Sequence, residues 1–422
     1  MTSERPAGLP SRGPVSWRTI APLLTAETIS TTGSQMSELA LPWFVLATTH
    51  SPARMGVVLA VQLLGMALVG IPGGAIATRL GARRTLVVCD LARAPLVAAV
   101  PTLHALGVLR FPLLVALVFA TGAFLAPYFA SQRTILPELL GEDERVVAEA
   151  ASLLQSANRM TILLGPPLAG VLIAAFGAST VLVVDAATYL ASASIVTVLV
   201  PRPLAGVDAD EIVDAGGLFA GLGFLWRDRL LRAWTTAFAS FELAWQALFA
   251  LVPILAFERY HDARVGGWLF AAFGGGALVG TVAASRLVRR VDPLLLVSIG
   301  KIPQALVFWW LAFPIGAVGL GAVLAISGAL NGVIFAPAIA IQTARTPPRL
   351  RTKAGTASVT LMLLAGAAGF ALAGPLVQSV GTKPVLVGVA LLQTLGGLLL
   401  TPIGLKTYAA GRARAAPAGR RT

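Results

Sequence analysis

GGAIATRLGARRTLVVCDLAR, residues 73–93, joins two strongly apolar segments through a short basic turn and returns Asp90 and Arg93 to the apolar part. A turn bearing Arg79, Arg83 and Arg84 between two membrane-length runs is what a polytopic membrane chain places between consecutive spans. The rest of the chain repeats the pattern. Of 422 residues, 56% are apolar and only 12% charged, with a mean hydropathy of +0.81. A soluble protein carries about a quarter charged residues. Apolar runs of roughly 20 residues, each able to cross ~30 Å of hydrocarbon as a helix, recur from end to end. They do not alternate, which excludes a closed barrel.

Twelve spans are expected: 19–47, 55–77, 85–108, 111–131, 151–175, 179–200, 233–256, 265–285, 293–313, 315–340, 355–379 and 384–404. The fold class is therefore an all-α membrane protein with twelve transmembrane helices in two pseudo-symmetric six-helix halves. The halves fall at 19–200 and 233–404. A tail at 1–18, a linker at 201–232 and a basic tail at 405–422 complete the chain. Of the 32 Lys and Arg, 24 fall in the tails, the linker and the turns of one side. Five (Arg54, Arg110, Arg259, Arg264 and Lys383) fall on the other, and three (Arg93, Arg159 and Lys301) within spans. The asymmetry puts both termini in the cytoplasm.

The halves echo each other. At an offset of 210 residues Ala53-Arg54-Met55-Gly56 faces Ala263-Arg264-Val265-Gly266, and Ala67–Gly70 repeats as Ala277–Gly280. Gly165-Pro166 returns as Gly374-Pro375 at an offset of 209. Parallel six-span repeats build a substrate site at the interface of two rocking halves in many secondary transporters. In the linker, residues 218–226 read as a short interfacial helix or a plain loop.

Composition and motifs exclude several functions. The net charge of +13 sits in turns rather than on a face interleaved with aromatics, so no nucleic-acid partner is expected. Cys89 is the one cysteine, and His50, His104 and His261 lie far apart, so no metal site is expected. The first sixteen residues, with Arg5 and Arg12 and no apolar core, read as a tail rather than a signal peptide. Gly300-Lys301 lacks the rest of a phosphate-binding loop, and no nucleophile–base constellation stands out, so the chain is not an enzyme.

Ionisable groups inside spans carry the functional signal, since each costs at least ~2.5 kcal/mol at mid-bilayer without a cavity or partner. Glu27, Thr31, Ser34 and Glu38 are spaced four, three and four residues apart, on one face of span one, with the carboxylates ~16 Å apart. Such a stripe is expected to line water or substrate, although interhelical hydrogen bonding would use the same side chains. Glu38, then Glu27, is the expected proton-coupling carboxylate. Glu242, with Trp245 and Gln246, is expected as a second cavity acid or as a partner of Lys301. Asp185 reads as snorkelling near a span end. Asp90 is expected to pair with Arg93 or Arg159 in a structural or gating pair. Trp43, Tyr128, Trp245, Trp309 and Phe335 are candidate cavity aromatics.

These features together resemble the major facilitator superfamily over nearly the whole chain. The turn GGAIATRLGARR is similar to that family's G-x-x-x-D-R-x-G-R-[RK] signature: Gly74, Arg79, Gly81 and Arg83 match, and Thr78 stands where the family usually has Asp. The resemblance implies an inner latch weakened by that loss of charge. Gly165-Pro166 with Ala169-Gly170 resembles the span-five motif of the family's antiporters, with Thr161 and Ala169 in place of two glycines. The opening ETISTTGSQMSELALPWFVLATTHSPARMG, with VVCDLAR and QRTILPELL, looks like the branch holding macrolide-efflux proteins and the enterobactin exporter. That resemblance implies a monomeric bacterial inner-membrane exporter of an amphipathic small molecule. It would be driven by the proton gradient and need no bound cofactor. Uptake of a metabolite, lipid flipping, or a sensor or assembly role on the same fold are the alternatives.

Overall fold

The computed structural model describes residues 17–141, 143–201 and 217–415, apart from a few side chains within them. Among these residues there are thirteen α-helices and no strand. Six membrane-length helices come first: α1 (Trp17–Thr49), α2 (Pro52–Leu80), α3 (Ala82–Ala105), α4 (Phe111–Leu140), α5 (Glu144–Phe176) and α6 (Ala178–Leu199). A short helix, α7 (Gly217–Arg227), occupies the expected interfacial stretch. Six more follow: α8 (Arg229–Leu255), α9 (Ala263–Leu287), α10 (Pro293–Phe308), α11 (Ala317–Arg345), α12 (Arg351–Val380) and α13 (Thr382–Ala415). Eleven of the long helices have the length and apolar composition to cross a membrane. The exception is α1, 33 residues long but diluted by Glu27, Ser30, Ser34, Ser37 and Glu38. A span this polar survives only if its polar face meets protein or an aqueous cleft.

The basic turn is tight. Gly81 alone separates α2 from α3, at φ +79°, a left-handed conformation that glycine adopts without strain. Glycine supplies no capping side chain, so Glu138 of α4 accepts from the first amide of α3, Ala82 N–H, through both carboxylate oxygens at 3.2 Å. Arg83 donates to the carbonyls of Thr197 and Val200 at the end of α6, a cation on the negative pole of a helix. Arg79 is exposed, whereas Gly74 and Thr78 lie outside the described side chains.

Helices α1 to α6 pack on one another, and α8 to α13 do the same. The two groups meet chiefly along α2–α12 and α5–α9, with smaller contacts of α1 on α8 and α9. Both seams are built from glycines with no room for a side chain. In α2, a Cβ on Gly56 would lie 2.5 Å from the Phe370 carbonyl of α12, and one on Gly374 would strike the Pro52 carbonyl. In α5 and α9, a Cβ on Gly170 would lie 2.8 Å from the Ala263 carbonyl, and one on Gly267 2.5 Å from that of Pro166. The sequence echoes thus meet crosswise. Ala53–Gly56 sits on Gly374, and Ala263 and Gly267 sit on Gly170 and Pro166, next to the repeated Gly-Pro pairs.

These contacts lie at the end of the bundle away from the termini. There one apolar core runs through both halves, from Leu39, Phe44 and Met55 to Leu248, Leu269 and Phe370. Toward the termini the core divides. One cluster around Ile20, Leu86 and Ile135 belongs to the first half, and another around Trp234, Val297 and Ile334 to the second. The halves are joined at one end and separately packed at the other.

Gly374→Leu should force the α2–α12 seam apart, because overpacking a closed contact costs about 1–3 kcal/mol. A spin-label pair at Ser51 and Gln378, whose side chains touch at 3.4 Å, should lengthen by several ångströms. An unchanged distance would show that this seam does not hold the halves together.

Candidate functional site

The first half encloses one polar network built from four helices. Its centre is Arg93 of α3, only 1% exposed. The guanidinium bonds Asp90 Oδ1 at 2.5 Å and lies between two aromatic rings, 4.2 Å from the Tyr128 centroid and 4.4 Å from that of Tyr189. A desolvated cation on an aromatic face gains about 2 kcal/mol, so two rings and one carboxylate replace much of its lost hydration. Tyr128 O–H donates to Glu27 Oε2 at 2.9 Å, and Gln132 Nε2 donates to the same oxygen at 2.6 Å. Ser30 donates to Asp90 at 3.4 Å, and Ser192 bonds it too. The hydroxyls of Ser34 and Tyr189 pair at 2.9 Å, and Ser37 donates to Asp185 at 2.5 Å.

Several expectations change here. The span-one stripe does not face one environment: Glu27 is buried on α4, and Ser34 turns to Tyr189 of α6. Thr31 is half-buried, and only Glu38 is exposed, with no hydrogen-bond or ion-pair partner among the described residues. Helix faces are broad, and neighbouring helices claim different parts of this one. Asp185 does not snorkel, being 1% exposed and bonded to Ser37. Asp90 pairs with Arg93 and not with half-buried Arg159, and its hydrogen-bond partners belong to one half, so the pair ties that half together.

The network also holds residues that sequence reasoning passed over, namely Gln132, Tyr189, Ser30, Ser37 and Ser192. Some signal was present. Two of the four tyrosines in the chain stack on Arg93, and Asp185, Tyr189 and Ser192 share a helical spacing of four and three.

The second half is arranged differently. Glu242 is half-buried and accepts from Gln246 Nε2 at 2.7 Å, beside the closely approaching Gly366 of α12. No ion pair joins it to Lys301. Instead Lys301 is buried, donates to Gln304 at 2.8 Å and sits 4.1 Å from the Phe241 ring. Trp245 is buried among Phe249, Phe273 and Phe308. Trp309 donates to Thr394, Trp43 meets Phe257 across the halves, and Phe335 is 49% exposed. Of the candidate cavity aromatics, then, Tyr128 and Trp245 serve packing and the polar network. In α5, Gly165 admits Gln35 of α1, and Pro166 and Gly170 form the α9 seam.

A polar stripe on α5 runs through Glu149, Ser152, Ser156 and Arg159, exposed or half-buried, and continues at the same spacing into Leu163, which meets Gly274 of α9. This face of the first half looks across to the second. Among the described residues no three His, Cys, Asp or Glu side chains converge as a metal site would require.

The two buried cations should respond oppositely to removal. Arg93→Met strands Asp90 without a counter-charge and should cost about 3–5 kcal/mol. Lys301→Met removes a buried charge that makes no direct ion pair, Glu242 acting on it only from beyond contact, and should leave thermal stability unchanged or raised. Unfolding scans of the purified variants check both; equal losses would contradict the contrast.

Comparison with known proteins agrees with this architecture. A model of the Major Facilitator Superfamily matches residues 23–370. The multidrug efflux pump Tap of Mycolicibacterium fortuitum is 26% identical over 390 residues, covering 89% of this chain and 93% of that protein. Among solved structures, a point mutant of the nucleoside transporter NupG superposes with a TM-score of 0.74 at 13% identity, covering 91% of this chain and 99% of that one. A bacterial homolog of the human lysosomal transporter Spinster, in an inward-facing and unoccupied conformation, gives 0.72 at 13% identity, covering 93% and 98%. These two show the fold alone. With its two halves joined crosswise and a family match over most of its length, the chain belongs to the Major Facilitator Superfamily, as a multi-pass membrane transporter and not an enzyme.

Proposed function

We propose that the protein exports an amphipathic small molecule across the bacterial inner membrane in exchange for protons, by alternating access, with both termini in the cytoplasm. One observation carries the reading. Glu38 stands exposed and without a protein partner on α1, the helix that packs on α5 and α6 of its own half and reaches α8 and α9 of the other. A carboxylate kept partnerless at that depth is costly unless cargo or water reaches it. Glu38 lies between Met36 and Leu39 of the joined core, so that access requires an opening that extends from the separately packed ends to its depth. A chain of apolar helices with a few acids suits a lipophilic or cationic molecule better than a densely hydrogen-bonding solute.

The charge asymmetry of the turns supports cytoplasmic termini, and hence places the separately packed ends on the cytoplasmic side. The efflux relatives support the direction of transport, and their cargo class is the starting panel. Siderophores and macrolides belong in that panel with lipophilic cations. No resident cofactor is required, because the proton gradient supplies the energy.

Everted vesicles loaded by a pH gradient provide the test. Glu38→Gln should lower gradient-driven ethidium transport by roughly tenfold or more, while Glu38→Asp keeps a substantial part of it. Wild-type transport that survives an uncoupler would end the antiport reading.

A further inference from the structure

Resting on that antiport reading, the network around Arg93 identifies where protons are held. It contains three buried carboxyls, Glu27, Asp90 and Asp185, and one guanidinium. That guanidinium is committed to Asp90 by the direct bond. Glu27 and Asp185 are left with neutral donors only: Tyr128 and Gln132 on one, Ser37 on the other, with Thr188 Oγ1 as far as 3.5 Å. α1 brings Ser30, Ser34 and Ser37; α3 brings Cys89, Asp90 and Arg93; α4 brings Tyr128; α6 brings Tyr189 and Ser192. Among the described residues, α5 adds no hydrogen bond or ion pair to the network. Three ionised carboxylates would leave two uncompensated negative charges in a dry interior, which is costlier than binding protons.

The fold makes room for an acid at Asp185. Gly33 of α1 lies against it, and a Cβ there would come 2.6 Å from Asp185 Oδ1 and collide with Thr188 Oγ1. A side chain at that position would force Thr188 or the Asp185 carboxyl to move.

We propose that Asp185 and Glu27 are the proton-carrying carboxyls of this transporter, with Arg93 as the fixed counter-charge of Asp90 and with Glu38 left free to meet cargo. Loading forms one O–H bond on each carboxylate from solvent protons, and unloading breaks it. Glu27 reaches Arg93 through Tyr128, whose hydroxyl bonds the acid and whose ring lies on the guanidinium, and Asp185 stands one helical turn before Tyr189, the ring on the other side of the same cation.

Infrared spectroscopy of the full chain in lipid nanodiscs tests this without any cargo. At about neutral pH the wild type should show a carboxylic-acid carbonyl band that fades as the pH is raised to about 9. Asp185→Asn and Glu27→Gln should each remove a separate part of it, and Glu38→Gln should leave those parts in place. Asp185→Glu should shift its component, which keeps the test decisive if Asp185→Asn fails to fold. No acid band at neutral pH, or a band unchanged in both Asp185→Asn and Glu27→Gln, would overturn the proposal. Uncoupler-insensitive efflux with the band intact would instead remove the antiport reading and leave these carboxyls protonated.

Discussion

A guanidinium buried in a membrane-spanning helix sets the terms for the first half of this protein. Arg93 cannot reach water, and its charge would be prohibitive in hydrocarbon if left alone. The chain answers with a carboxylate one turn earlier and an aromatic ring on each side, supplied by α4 and α6. Those rings are themselves tied to α1 by Glu27 and Ser34. Four helices are therefore held in register by one cation, and α1 can carry Glu27, Ser30, Ser34 and Ser37 because this network occupies them.

The second constraint is steric. Glycine backbones at both seams let the halves approach to contact at one end of the bundle, while the other end keeps two separate cores. Small residues are the usual means by which helices associate in lipid, where no hydrophobic force drives them together. Crosswise pairing of related segments makes the two seams near-equivalent.

Much of this was legible in the sequence, for physical reasons. Span length and charge asymmetry follow from the bilayer itself, so helix positions and the basic turn around Gly81 could be read directly. The echo of Ala53–Gly56 in Ala263–Gly266 pointed to the repeat, and Asp90 with Arg93 to a buried pair. Lateral partners were not legible. Spacing puts Glu27 and Glu38 on one face of α1, but only the packing of α4 shows that Glu27 is enclosed while Glu38 is not. Asp185 looked close to water because its depth was judged along α6 alone, and the burial comes from α1 lying across it at Gly33. The absence of a Glu242–Lys301 pair likewise depends on side-chain directions that spacing does not supply.

The central claim is that cargo and protons move in opposite directions through one molecule. Proteoliposomes containing only this protein, loaded with ethidium and a trapped pH dye and then diluted, address it directly. Ethidium leaving down its own gradient should draw protons inward and acidify the lumen. Ethidium exit with the lumen pH unchanged would contradict the account.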